Sequence, residues 1–70
     1  MENNKLIAKC RIEKGDFENT VIGVDESGVE HLLFTYYPDE LHFKANEFVG
    51  RSIQYANDLF VKRDTAYLRS

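Results

Sequence analysis

The sequence predicts an α+β fold: a small twisted antiparallel β-meander of three to five strands, with one C-terminal helix packed on it. Two periodicities of apolar side chains predict this fold class. Apolar residues recur at every second position up to about Phe43, as in half-buried strands, and at every third or fourth position from Ile53 onward, as along one face of a helix. We expect the meander to be partly closed, in the manner of an SH3-like barrel.

The first strand begins at Leu6, after a polar start over residues 1–4 that we expect to be disordered. Apolar side chains alternate with charged ones along this run and predict one buried face, formed by Leu6, Ala8, Cys10 and Ile12. Ile7 is then expected on the opposite, mostly charged face. Gly15 and Asp16 supply the following turn, because Gly adopts positive φ and the Asp carboxylate bonds the backbone just ahead of it.

A hairpin connects the second and third apolar runs. Residues 25–28 are polar or Gly, and they separate residues 19–24 from residues 29–37, both rich in β-branched and aromatic side chains. Gly23 inside the second run predicts a bulge or a close approach of another group to the backbone. The third run is the most apolar and is therefore predicted to be the central strand, which ends at Pro38.

A change of period marks the last third of the chain. Leu41 and Phe43 alternate with polar residues and predict a brief fourth strand at an edge of the sheet. Ser52 is the predicted N-cap of a helix with one packing stripe, formed by Ile53, Ala56, Leu59, Phe60 and Arg63. Residues 65–69 can extend this helix, but they alternate again, which favours a final short strand.

The composition describes one folded domain of 70 residues, with 43% hydrophobic and 30% charged side chains. Cys10 is the only cysteine, and a single thiol without a leader sequence predicts a cytoplasmic protein. No apolar run approaches the ~20 residues that span a bilayer, so no membrane association is expected. A net charge of −3 makes nucleic acid an unlikely partner, because Lys and Arg supply most of the affinity for phosphates.

Candidate catalytic and metal-binding side chains are few, namely Cys10, His31, His42, Asp39 and Glu40. They show neither a nucleophile, base and orienting group nor the paired spacing of zinc ligands. Cys10 is predicted to act as a small hydrophobe, each His to face solvent, and the hairpin carboxylates Asp25 and Glu26 to form the turn and add solubilising charge. We therefore predict no catalytic residue, metal, cofactor or small-molecule substrate.

Aromatic side chains crowd one part of the chain. Because alternation sends Tyr36 and Tyr37 to opposite faces of a strand, one of the two is displayed. The predicted partner-binding residues are Phe34, Tyr36, Tyr37, His42 and Phe43. We expect a small protein-binding or accessory module that acts through an exposed strand edge or an aromatic surface and forms a homodimer. The alternatives are a nucleic-acid-associated regulator and a small enzyme or metal-binding protein.

Overall fold

Residues 5–69 are described by a computed structural model, and the predicted disordered start at residues 1–4 lies outside them. The described chain contains three strands, one 3₁₀-helix and one α-helix. In order, they are β1 (Ile7–Lys14), β2 (Asn19–Asp25), β3 (Glu30–Tyr36), the 3₁₀-helix Ala45–Glu47 and α1 (Ile53–Arg69). The predicted combination of an antiparallel meander with one C-terminal helix is confirmed.

The sheet is open and has the strand order β1-β2-β3, with both pairs antiparallel. The prediction that the third run is central is wrong, since β2 takes that place. Every residue of β2 is at least half-buried, as expected of a strand with a neighbour on each side. β3 is more apolar because three of its side chains, Leu33, Phe34 and Tyr36, enter the core. The predicted SH3-like closure is not confirmed.

A β-bulge changes which residues of β1 enter the core. Ile7 pairs with Asp25 and Lys9 pairs with Val24, so Ala8 is an extra residue on β1. The bulge places Ile7 on the same side as Cys10 and Ile12, and Ile7 is almost fully buried. The prediction that Leu6 and Ala8 are buried and Ile7 is outside is therefore wrong, because the extra residue reverses the alternation at this point.

The helix α1 begins as predicted and ends later. The Tyr55 N–H donates to the Ser52 Oγ at 3.0 Å, which confirms Ser52 as the N-terminal cap. Ile53 and Ala56 are buried against the sheet. The predicted final strand at residues 65–69 is wrong, since these residues continue the helix. A helix satisfies its own backbone groups, whereas a strand there would require pairing with a sheet edge.

The predicted fourth strand at Leu41 and Phe43 is also wrong. The Tyr37 carbonyl accepts hydrogen bonds from the N–H groups of Glu40 (2.9 Å) and Leu41 (3.0 Å), so the chain turns after β3. The Glu47 carboxylate then accepts a bond from the Lys44 N–H at 2.7 Å and fixes the start of the 3₁₀-helix. These backbone groups are used in turns and a cap, and the described chain pairs no further strand with the sheet.

Aromatic rings fill the space between the sheet, the connecting loop and α1. The centroid of the Phe43 ring lies 4.9 Å from the ring centroids of Phe34 and Tyr36, and Phe34 stacks on Phe60 at 4.7 Å. Phe48 is fully buried beside them. The helix and the loop therefore cover one side of the sheet, and this side is the core.

Candidate protein-binding surface

The structure divides the five predicted partner-binding residues between the core and the surface. Phe34, Tyr36 and Phe43 are buried in the core of the single chain, and Tyr37 and His42 are exposed. The opposite exposure of Tyr36 and Tyr37 follows the alternation of the strand. Phe43 lies in the loop after β3, where alternation does not apply. Of the five predicted residues, Tyr37 and His42 therefore have side chains accessible to a partner.

The side of the sheet away from the helix carries a strip without charge, which we name the outer strip. Val21 and Tyr36 point into the core, so their neighbours in β2 and β3 point outward. The outer strip consists of Thr20, Ile22, Val24, Leu32, Thr35 and Tyr37. Thr20 pairs with Thr35 and Ile22 pairs with Leu32 across the two strands. Leu32 is 68% exposed and Tyr37 is 53% exposed, so two large side chains of the outer strip face water.

Charged residues border the outer strip along β1. The Arg11 guanidinium donates to the Glu13 carboxylate at 3.0 Å and to both oxygens of the Glu30 carboxylate at 3.0 and 3.2 Å. The bond to Arg11 lowers the pKa of Glu30, and the same bond raises the pKa of Arg11. Exposed ion pairs of this kind add little stability. Because β2 lies between β1 and β3, the Arg11–Glu30 pair crosses β2 near Ile22 and Val24, at the hairpin end of the outer strip.

One end of the outer strip opens into a depression with two aromatic walls, which we name the aromatic depression. It has a volume of about 480 Å³ and is lined by Gly15, Asp16, Phe17, Glu18, Thr20 and Tyr37. Phe17 is 83% exposed. Alternation along the strands does not predict this exposure, because Phe17 lies in the turn between β1 and β2.

A buried carboxylate closes the hairpin at the other end of the sheet. Asp25 accepts hydrogen bonds from the backbone N–H groups of Ser27 (2.8 Å) and Val29 (3.1 Å) and from the His31 Nε2 (2.8 Å). The Lys5 Nζ lies 3.7 Å from the same carboxylate. The hydrogen bond from His31, followed by the bond from Val29, lowers the pKa of Asp25 to about 2.

This arrangement corrects two predictions. Asp25 does form the turn, but it is buried and not a solubilising charge, and His31 is half-buried and not solvent-facing. Both carboxylate oxygens of Asp25 are occupied by donors of the hairpin itself. The pair therefore holds the hairpin together, and we place it outside the candidate binding surface.

We expect acid to weaken the fold through Asp25. Its pKa is about 2 in the folded chain and about 3.8 in the unfolded chain, so the unfolded state binds the proton first. The stabilisation is complete above about pH 4 and is lost as the pH falls through about 2. Urea midpoints measured between pH 5 and pH 2 check this, with Asp25→Asn as the control. An equally steep acid loss in the Asn variant would contradict the assignment.

The remaining candidates for chemistry do not form a site within residues 5–69. Cys10 is half-buried and packs against the core, and this burial raises the pKa of its thiol. In this part of the chain no three His, Cys, Asp or Glu side chains are placed to hold a metal ion. No α-helix among the described residues has the length and apolar character needed to cross a bilayer.

The amino-acid sequence and the fold were compared with protein-family models, curated proteins and solved structures. None of the three comparisons finds a match to this chain.

Proposed function

We propose that this protein is a small, non-catalytic binding module that associates with a second copy of itself through the outer strip. The observation that supports this most is the exposure of Leu32 and Tyr37 on a strip without charge, beside a border of ion-paired residues. Contact surfaces between proteins combine an apolar, charge-depleted centre with a polar rim. A domain of 70 residues also gains more from association than a large one, because it buries a smaller fraction of its surface alone.

The free edge of β3 adds to this surface. Within residues 5–69, the backbone of β3 forms ladder hydrogen bonds with β2 alone. The strand contains no Lys, Arg or Pro, the residues that commonly protect a free edge, and it runs directly into Tyr37. A partner placed on the outer strip can therefore also reach unpaired backbone groups.

The other edge of the sheet is protected. β1 carries four charged side chains, those of Lys9, Arg11, Glu13 and Lys14. Its first residue is also covered, because Ile7 exchanges two backbone hydrogen bonds of 2.8 Å with Arg51 and Gly50. The contrast between the two edges favours β3 as the side on which a partner docks.

The basic residues favour this function over nucleic-acid binding. Arg11 and Arg63 are already paired with carboxylates, which reduces the positive charge available to phosphates.

We also propose a cytoplasmic location, with which the free thiol of Cys10 is consistent. The action is binding alone, without cofactor, metal or small-molecule substrate.

We expect Leu32→Lys to weaken self-association at least about tenfold, because it puts a charge at the centre of the contact. Leu32 is mostly exposed, so the substitution leaves the core intact. Val49→Lys is the matched control, since Val49 is about half exposed and lies outside the outer strip. Sedimentation velocity over a micromolar concentration series measures both variants. A wild-type protein that stays monomeric throughout, or equal losses in the two variants, would contradict the proposal.

A further inference from the structure

We propose that the aromatic depression receives the Arg69 side chain of a second copy, so that the end of one helix docks on the sheet of the next copy. This inference rests on the proposed self-association and names the contact that produces it. The depression presents two rings, Phe17 and Tyr37, and two carboxylates, Asp16 and Glu18. A guanidinium can stack on an aromatic ring while its edge donates to a carboxylate, which an ammonium does less well.

Within one subunit, an arginine already binds an aromatic ring and a carboxylate in this way. The Arg63 guanidinium carbon lies 4.8 Å from the centroid of the Phe43 ring, and the Arg63 Nη1 donates to the Glu47 carboxylate at 3.2 Å. A ring, a carboxylate and an arginine are thus combined within one subunit.

The aromatic depression has the rings and the carboxylates of such a site without the cation. Within residues 5–69, no cationic side chain lies over Phe17 or Tyr37, and neither Asp16 nor Glu18 forms an ion pair. Two carboxylates that face an open, aromatic-walled depression favour a cationic group from outside the subunit.

Elimination among the four arginines points to Arg69. Arg11 is held by Glu13 and Glu30, and Arg63 is held as described above. Arg51 lies over the Tyr55 ring of its own subunit, with 4.9 Å from its guanidinium carbon to the ring centroid. Arg69 forms no ion pair or ring contact in the described part of the chain, and it is exposed in the last turn of α1.

The end of α1 is placed to reach a neighbouring subunit. Residues 65–69 are all exposed, so this part of the helix extends beyond the core. The helix has 17 residues and is therefore about 25 Å long. Leu68 and Val61 are largely exposed, and Lys62 lies beside Arg69. The helix end is therefore apolar and basic, whereas the outer strip with its depression is apolar and acidic.

The contact joins two different surfaces, the end of α1 on one copy and the aromatic depression on the next. Each copy in such a pair keeps one free surface, a depression on one copy and a helix end on the other. Association of this kind continues beyond the dimer unless the subunits close into a ring. The wild-type protein is therefore expected to form species larger than a dimer as its concentration rises.

A charge exchange tests the contact. We expect Arg69→Glu alone and the double variant Asp16→Arg/Glu18→Arg alone each to weaken self-association about tenfold. An equimolar mixture of the two restores association, because the acidic helix end of one variant fits the basic depression of the other. The mixture also continues beyond a dimer, since the surfaces left free, Arg69 of the depression variant and the acidic depression of the other variant, form the wild-type contact. All three positions are exposed, and circular dichroism checks that each variant is folded.

Glu26→Arg is the matched control, since Glu26 is an exposed acid at the opposite end of the sheet. This variant keeps both Arg69 and the acidic depression, so on its own it is expected to associate like the wild type. The contact is supported if Arg69→Glu and the depression variant each weaken association, their mixture restores it, and Glu26→Arg alone changes nothing. It is overturned if the charge variants associate like the wild type while Leu32→Lys does not, an outcome that leaves the proposed function standing. A wild-type protein that is monomeric throughout overturns both.

Discussion

Phe43→Ala is expected to lower the free energy of unfolding by about 3–5 kcal/mol, as large-to-small substitutions of a buried Phe do. Phe43 is 2% exposed, and its ring contacts the rings of Phe34 and Tyr36. It also lies beneath the Arg63 guanidinium, so its loss leaves a cavity and removes the support of an ion pair. Domains of this size have a total stability of about 4–10 kcal/mol, so this loss removes a large part of it.

Phe17→Ala is the matched control, because it removes the same side chain from a position that is 83% exposed. We expect its free energy of unfolding to stay within about 0.5 kcal/mol of the wild type. Urea unfolding followed by circular dichroism measures both variants under the same conditions. A Phe43→Ala protein as stable as the Phe17→Ala protein would mean that the ring at position 43 is not part of the core.

The aromatic residues show which part of the binding surface can be predicted from the sequence. Alternation along a strand assigns Tyr36 and Tyr37 to opposite faces, and that assignment needs no tertiary information. The burial of Phe43 depends on a loop that turns back over the sheet, which short-range patterns do not encode. Strand alternation assigns no face to Phe17, because this residue lies in the turn between β1 and β2.

Side-chain periodicity predicts the type of each main element better than its ends and its register. The helical spacing from Ile53 correctly predicts α1, but helix and strand patterns over residues 65–69 are too short to be distinguished. In β1 the alternation is correct for Cys10 and Ile12, and one extra residue reverses it before Lys9. The sequence predicts a solvated Asp25, because its hydrogen-bond donors come together only in the folded hairpin.

Gly23→Val is expected to lower the free energy of unfolding by about 1–3 kcal/mol, since it overpacks the core beside the β1 bulge. A Cβ added to Gly23 would lie 3.1 Å from the Leu33 Cδ1 and 3.3 Å from two side-chain carbons of Ile7. The direction of the change in the free energy of unfolding identifies its cause. In an open strand position, Gly→Val stabilises a sheet through higher β-propensity and a less flexible unfolded chain, so a loss identifies the steric contact.

The double variant Gly23→Val/Leu33→Val tests which contact produces the loss. Val at position 33 lacks the Cδ1 atom, which is the closest neighbour of the added carbon. If that contact dominates, the double variant loses less stability than the sum of the two single variants, by about 1 kcal/mol. Additive losses would instead assign the crowding to Ile7, the residue that the bulge turns into the core. The urea midpoints of the four proteins therefore report on the register of β1 as well as on the need for Gly23, because only a bulged β1 brings the Ile7 side chain against this position.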